Sequence, residues 1–308
     1  MKKVEDTRLH SPRAIDSVMI LNKVIDIVTY ECLYMERHPD LFPPKESFLV
    51  NSGKYVNVMC GQNSRGVVAS KTIYVNEAEG ILDATMALRF PDKEGITVLD
   101  AGYLTILRSA LFAAYAVLRS GHIENTIGLI GGGKINLMTA AFLKLMGVRD
   151  IVLLGGRQRP DKNAHVFTNL TGLRVKTGME NLKDCGVLIS CTTNNEEKDM
   201  IKPIHAPNTT LVIAQDGGFT LSPEWRKHWK IYTDHPTQLA KHWDEEFPYD
   251  HVGGGVLHPL YKLGYEKNVG VYLYGTITAD IIAAQWQMAD TIPDMFIHDY
   301  LENLKLLE

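Results

Sequence analysis

The hydrophobic pattern predicts a mixed architecture in the first 120 residues. Apolar residues recur at helical spacing from Ala14 to Glu36, which predicts a long amphipathic helix that HPDLFPP ends. From Phe48 to Asn76, short β-rich pieces (SFLV, KYVNVM and GVVASKTIYV) alternate with turn residues, which predicts an antiparallel meander. ITVLDA suggests one more strand, and the Leu- and Ala-rich stretch from Leu104 to Arg119 predicts a second helix.

After Gly121 the pattern changes to short apolar strands that alternate with helix-length segments. The predicted strands are TIGLIG, DIVLLG, LRVKTG, GVLISCT, TLVIAQ and KIYTD, with helices near Ile135–Met146 and Asp161–Leu170. Such alternation is typical of a doubly wound α/β domain, whose parallel sheet is covered on both faces. VYLYG near Val271 precedes an apolar helix from Ala279 to Met288, which we expect to pack back on the N-terminal part.

Composition narrows the classes of protein. The 308 residues are 45% hydrophobic, enough for a large core and about two domains. A net charge of −4 without a long basic run argues against a nucleic-acid-binding protein. No secretory h-region and no apolar stretch near the ~18 residues of a membrane span are found, so no membrane association is expected. The cysteines have neither zinc-site spacing nor disulfide density, which favours a cytoplasmic protein; they are Cys32, Cys60, Cys185 and Cys191.

The segment TIGLIGGGKIN is the sharpest local signal. A buried strand leads into Gly131, Gly132 and Gly133, and a helix opens directly with Lys134 and Ile135. Glycines there let the backbone approach a diphosphate, and the helix N-terminus supplies N–H donors and a partial positive charge. The third position of G-x-G-x-x-G is Asn136, which is not suited to close helix-to-strand packing. An ordinary strand-to-helix connection is the alternative to dinucleotide binding.

The next strand, DIVLLGGRQR, bears on the choice of cofactor. It ends in Gly155 instead of the acid that usually binds the ribose 2′-hydroxyl of NAD. Arg157 or Arg159 would neutralise a 2′-phosphate, so the sequence favours NADP(H) within an NAD(P) site. The alternative is that these arginines are solvated loop charges.

Ligands of doubly wound sheets lie outside the carboxyl ends of the strands. Thr192 and Thr193 follow the GVLIS strand, where a hydroxyl would meet the nicotinamide or its ribose. Asp216 follows the TLVIA strand, and a carboxylate there would exchange a proton as hydride moves. A helix-capping or turn-shaping Asp is an equally good interpretation.

Two cations of the N-terminal part stand among apolar neighbours. Arg108 lies in LTILRSA and is expected to pair with an anion, either a substrate carboxylate or an internal carboxylate. Lys71 lies in a strand-like segment and is either a pocket-lining cation or an edge-strand charge. No metal site is expected, because Pro236 breaks the helix that would align the histidines spaced by seven residues, His228, His235, His242, His251 and His258.

Six longer segments together carry a family resemblance. The most telling is LDAGYLTILRSALFAAYA, which SKTIYVN precedes; after it come IGLIGGG, ISCTT, VIAQDGG and GTITADIIAAQ. LDAGYLTILRSALFAAYA is similar to a D-A-x-x-L-T-x-x-R-T-A-A helix, and GTITADIIAAQ is similar to a G-x-x-x-x-D closing segment. Their order and spacing together resemble the ornithine cyclodeaminase/μ-crystallin family over nearly the whole chain.

The resemblance implies a substrate-binding and dimerisation domain over 1–120, with 275–308 packing back on it, and a Rossmann dinucleotide-binding domain over 121–274. It implies that Lys71 and Arg108 hold a substrate α-carboxylate and that Asp216, with Lys71, is catalytic. Lys45 stands where the family usually has an arginine. The positive charge is kept there, but the planar guanidinium that binds a carboxylate through two parallel hydrogen bonds is absent. Ile135 and Asn136 replace the family's usual Gln and Ala.

The resemblance also implies NAD(P)-dependent hydride transfer at the α-carbon of an amino acid or its imine, by a homodimer. In a cyclodeaminase the hydride returns to a cyclic imine after ammonia leaves, whereas one transfer alone makes an amino acid or opine dehydrogenase or a ketimine reductase. A non-catalytic binder of nicotinamide or another small ligand, of the μ-crystallin type, is the alternative from a different class.

Overall fold

The computed structural model describes residues 14–51, 54–76, 81–155, 160–192, 200–215, 218, 220–227, 229–246 and 256–288. The α-helices among them are α1 (Ala14–Arg37), α2 (Gly102–Arg119), α3 (Lys134–Leu145), α4 (Pro160–Thr171), α5 (Glu224–Lys227), α6 (Pro236–Glu246) and α7 (Ile277–Met288). The N-terminal strands are β1 (Glu46–Asn51), β2 (Lys54–Gln62), β3 (Val68–Asn76), β4 (Ile81–Arg89) and β5 (Thr97–Asp100). The later strands are β6 (Thr126–Ile130), β7 (Asp150–Leu154), β8 (Arg174–Thr177), β9 (Cys185–Ser190), β10 (Leu211–Ala214), β11 (Lys230–Thr233), β12 (Leu257–Pro259) and β13 (Val269–Tyr272).

The first five strands form an antiparallel sheet in the order β1-β2-β3-β4-β5, which confirms the predicted meander. Strand β4 was not predicted. Its inward positions are Ala84, Met86 and Leu88, which are helix-favouring residues, and only their alternation with mostly polar residues marks a strand. Helix α7 contacts β2 and β3, and α2 contacts β4, so the inner face of this sheet is covered.

The remaining strands form a sheet in the order β12-β11-β13-β10-β9-β6-β7-β8, with parallel pairing throughout. The central strands β9, β10 and β13 are buried at every position. Continuous burial requires helices on both faces and confirms the doubly wound interpretation. Pro236 begins α6 and does not break a helix, because the first helical position needs no N–H donor.

Helix α7 brings the end of the described chain back to its beginning. It contacts α1, α2, β2 and β3, and its first half is apolar except for Thr278 and Asp280. The domain boundaries near residues 120 and 275 remain a prediction. Within the described residues, no helix combines the length and the apolar character needed to cross a membrane.

Candidate active site

The glycine loop between β6 and α3 has the backbone geometry that the sequence predicts. Gly131 has a φ of +103°, and a Cβ there would overlap the carbonyl oxygen of Cys191, which directly follows the neighbouring strand β9. Its N–H donates to the carbonyl of Leu154 (2.8 Å), so the loop is bonded to the end of β7. Only glycine fits at this position, for reasons of both conformation and space.

Asn136 has a role that sequence analysis did not predict. Its side chain is fully buried, and its Nδ2 donates to the carbonyls of Ile130 (2.9 Å) and Gly131 (2.8 Å). Asn163 on α4 likewise donates from Nδ2 to the carbonyl of Gly132 (3.1 Å). Two amide side chains therefore donate hydrogen bonds to the carbonyl groups of the glycine loop. At the third position of G-x-G-x-x-G, Asn136 thus provides hydrogen bonds in place of the close helix-to-strand packing of a small residue.

The N-terminus of α3 fits an anionic group. Gly133 is its N-cap, makes no side-chain cap, and has open space where a Cβ would lie. The first turn, which includes Lys134 and Ile135, contains no acidic residue. A helix N-terminus of this kind attracts a diphosphate through its N–H groups and its dipole, so these residues fit the predicted dinucleotide.

The other predicted cofactor residues follow strand ends on the same rim. Gly155 follows β7 directly, as predicted, and Thr192 lies just beyond β9, with its Oγ1 2.6 Å from Oγ1 of Thr220. Arg157, Thr193 and the predicted acid/base Asp216 lie outside the described residues.

Lys71 is a buried cation in the middle of the five-stranded sheet. Its Nζ lies 2.5 Å from Oδ1 of Asp280 and donates to Oγ1 of Thr105 (2.8 Å). Both charged side chains have no exposed surface. The edge-strand interpretation of Lys71 is wrong, because β3 pairs with β2 on one side and with β4 on the other. Burial lowers the pKa of Lys71, and the Asp280 carboxylate opposes that shift.

Arg108 shares the same carboxylate from the adjacent helix. Its Nε lies 3.6 Å from Oδ1 of Asp280, yet Nε and Oδ2 of Asp280 are both buried without a hydrogen-bond partner. The guanidinium lies against Gly275, where a Cβ would overlap it. Glycine at 275 is therefore required for Arg108 to reach this place, and the guanidinium retains donors for a ligand.

Lys45 completes a group that we call the cationic cluster: Lys45, Lys71 and Arg108 with Asp280. Its Nζ lies 3.9 Å from the ring centroid of Tyr274, which follows β13. Burial, together with the positive charge of Arg108, lowers the pKa of Lys45 to about 8, although Asp234 and Asp280 oppose the shift. The two sheets thus meet at this cluster, since Lys45 precedes β1 and Tyr274 follows β13.

Asp234 and Gln238 hold that junction in place. The carboxylate of Asp234 accepts hydrogen bonds from the backbone N–H groups of Tyr274 (3.0 Å) and Gly275 (2.9 Å). Gln238 accepts from the N–H of Lys45 (2.9 Å) and donates to the carbonyl of Gly275 (3.1 Å). Because Asp234 is engaged with the backbone, the cationic cluster has three positive side chains and one carboxylate. Such a cluster attracts an anion, and a carboxylate matches the guanidinium fork.

Sequence analysis missed several of these partners. It noted the segment GTITADIIAAQ but did not pair Asp280 with Lys71, although a carboxylate inside an apolar helix is the signal that would have suggested it. Asp234, Gln238 and Thr105 carry no such signal, because their roles depend on tertiary contacts.

The histidines do not assemble a metal site in the described part of the chain. His235 Nε2 lies 3.3 Å from the carbonyl oxygen of Phe42, and the ring of His258 lies against Tyr232. No group of three potential metal-ligating side chains occurs among the residues that the structure describes. His228 and His251 lie outside them.

Comparison with known proteins identifies the fold. No family model and no curated protein sequence matches the chain. Among solved structures, Δ1-pyrroline-2-carboxylate reductase of Thermococcus litoralis, in complex with NADH and L-proline, is similar with a TM-score of 0.71 and 16% identity, over 90% of this chain and 96% of that one.

Two further structures show the same similarity. A probable ornithine cyclodeaminase of Bordetella pertussis Tohama I has a TM-score of 0.73 and 14% identity, over 90% of this chain and 96% of that one. An archaeal alanine dehydrogenase dimer with bound NAD has a TM-score of 0.71 and 16% identity, over 91% of this chain and 96% of that one. At such low identity, the similarity shows a shared fold and nothing more specific. That fold extends over about 90% of this chain.

Proposed function

We propose that the protein is an NAD(P)-dependent enzyme of the ornithine cyclodeaminase type, which transfers hydride at the α-carbon of an amino acid or its imine. The observation that carries the proposal is the cationic cluster at the junction of the two sheets, next to a strand rim with a glycine loop suited to a dinucleotide. The similar structures support it, since their proteins are a pyrroline-2-carboxylate reductase, a probable cyclodeaminase and an alanine dehydrogenase.

In this proposal, Arg108 and Lys45 bind the substrate α-carboxylate, and Lys71 contributes a third positive charge. Asp280 fixes the positions of Lys71 and Arg108, because Oδ1 contacts both cations. The nicotinamide group supplies the hydride donor or acceptor when it is bound. Asp216 is the proposed proton carrier at the substrate nitrogen, on the basis of its place after β10.

The cofactor preference is proposed to lean toward NADP(H). Gly155 directly follows β7, where an acid would repel a 2′-phosphate, and Arg157 is two residues further on. The similar structures contain NADH or NAD, so they support a nicotinamide dinucleotide without supporting the phosphorylated form.

A substrate screen tests the proposal. Ornithine, lysine, alanine, arginine and cyclic imines are each assayed with both dinucleotides, and we record absorbance at 340 nm and ammonia release. A net absorbance change identifies a dehydrogenase or reductase, whereas ammonia release with catalytic amounts of cofactor identifies a cyclodeaminase. Dinucleotide binding without turnover across the panel would favour the non-catalytic binder, and no binding at all would refute the proposal.

Lys45 is expected to make substrate binding sensitive to alkaline pH. Its pKa of about 8 leaves it charged below pH 8 and neutral above, so the KM for a carboxylate substrate should be flat below pH 8 and rise above it, by up to about tenfold per pH unit. The free energy of unfolding should rise as the pH rises from 8 toward the ordinary pKa of Lys, because over that range the unfolded chain binds more protons than the folded chain.

Lys45→Arg is the matched control for this prediction. A guanidinium stays protonated throughout this range, so the variant should show a KM that no longer rises above pH 8. An equally steep rise in Lys45→Arg would assign the titration to another group, and a flat profile in the natural protein would remove Lys45 from substrate binding.

We also propose a homodimer formed through the outer face of the five-stranded sheet. Residues that pair across neighbouring strands lie on the same face of a sheet. Cys60 of β2, Ser70 of β3 and Val98 of β5 therefore share one face, the last by way of β4, and all three are exposed. Phe48 and Val68 on the same face are also exposed, by 55% and 46%. A wide face of small and apolar side chains is typical of a protein–protein interface.

Light scattering tests the dimer. The natural protein should have twice the mass of one chain, and Thr72→Arg, in the middle of the exposed face, should shift it toward the monomer by placing two like charges in the interface. Ile204→Arg is the control, because Ile204 is 80% exposed next to the other sheet. A monomeric natural protein, or equal effects of both variants, would contradict this interface.

A further inference from the structure

The side chain of Gln215 is a polar group at the rim of the eight-stranded sheet that the proposed mechanism leaves unused. Its Oε1 and Nε2 are both buried, and neither has a hydrogen-bond partner. A buried amide without partners destabilises the folded protein, so such a group calls for an explanation in terms of function.

The backbone fixes which way Gln215 faces. Its N–H donates to the carbonyl of Ser190 (2.8 Å), so the residue continues the ladder between β10 and β9 beyond the end of the strand. Side chains alternate along a strand, and Gln215 therefore shares the face of Leu211 and Ile213. These two belong to the same hydrophobic cluster as Leu107 of α2 and Ile281 of α7. Gln215 thus lies on the face of the sheet that belongs to this cluster, and not on the face of Val212 and Ala214, which belong to a second cluster.

Its position along the rim lies between the two parts of the proposed site. Strand β10 is two strands from β6, whose end carries the glycine loop, which corresponds to about 10 Å at normal strand spacing. On its other side β10 pairs with β13, which leads into Tyr274 and the cationic cluster. A dinucleotide with its diphosphate at Gly133 and its reactive ring beside the substrate has to place that ring near Gln215.

We propose that Gln215 binds the carboxamide of the nicotinamide ring and so sets which face of the ring meets the substrate. A primary amide offers one acceptor and two donor hydrogens, and the nicotinamide carboxamide offers the complementary pair. Two such amides form a paired set of hydrogen bonds that satisfies both atoms of Gln215. This assignment rests on the proposed function, because it requires a nicotinamide dinucleotide at the rim.

Calorimetric titration of the natural protein and of Gln215→Met with NADH, NADPH and ADP-ribose tests the assignment. ADP-ribose carries the diphosphate and both riboses without the nicotinamide, so it serves as a control ligand. In Gln215→Met the Kd of the preferred reduced dinucleotide should rise about tenfold to a hundredfold, while the Kd of ADP-ribose stays unchanged. Thermal stability should be equal or higher, since an unpaired buried amide is replaced by an apolar side chain of similar volume.

The outcomes separate this assignment from the proposed function. An equal loss of affinity for the dinucleotide and for ADP-ribose would overturn it, because Gln215 would then only support the rim. Unchanged dinucleotide affinity with a raised substrate KM would also overturn it and place Gln215 against the substrate. A natural protein that binds no dinucleotide would overturn the proposed function itself.

Discussion

Replacement of Asp280 by Leu, with Lys71 left in place, is expected to lower the free energy of unfolding by about 3–5 kcal/mol. The Lys71 ammonium has no exposed surface, and without Asp280 its remaining partner is the Thr105 hydroxyl. An uncompensated buried charge is costly, because neither water nor a counter-charge replaces the lost carboxylate. Urea unfolding at neutral pH measures the change.

The double variant Lys71→Met/Asp280→Leu provides the control. Replacing both charges by apolar side chains should restore stability to within about 1–2 kcal/mol of the natural protein, since a buried pair is often worth little beyond its own desolvation. Its kcat/KM should nevertheless remain at least about a hundredfold below that of the natural protein, because Lys71 and the Asp280 carboxylate that positions Arg108 are both lost. A stable Asp280→Leu single variant would mean that Lys71 becomes neutral there, and full activity of the double variant would exclude both residues from the site.

Substitution of Gly131 by Ala should destabilise the protein, whereas substitution of Gly133 by Ala should leave its stability nearly unchanged and weaken cofactor binding. Gly131→Ala should cost about 1–3 kcal/mol from its backbone conformation alone, and more because the new Cβ meets the Cys191 carbonyl. Gly133→Ala should leave the free energy of unfolding within about 0.5 kcal/mol, since its φ is −85° and no atom lies within 4 Å of the new Cβ.

The open space at Gly133 is the place where a phosphate is expected, so Gly133→Ala should still weaken dinucleotide binding at least about tenfold. Titration of each variant with the preferred reduced dinucleotide, beside its unfolding curve, separates the two effects. Unchanged affinity in Gly133→Ala would identify the segment as an ordinary strand-to-helix connection, the alternative that the sequence left open.

The sequence was most informative where local pattern and burial agree. The buried parallel strands are continuous apolar runs, so β9 and β10 were predicted close to their observed ends. The glycine loop was predicted because a turn with positive φ accepts few other residues. Strand β4 was missed because Ala, Met and Leu have helical preferences, which pairing with β3 and β5 overrides.

Residue type and neighbours along the chain were enough to predict most of the elements other than β4, the glycine loop and the individual cations Lys45, Lys71 and Arg108. The three-dimensional arrangement was needed to show that Asp280, 209 residues after Lys71, is its counter-charge, and that Asn136 holds the glycine loop together by hydrogen bonds. Contacts of this kind depend on which strands and helices lie side by side. Periodicity states which face of an element is buried, but it does not state what that face meets.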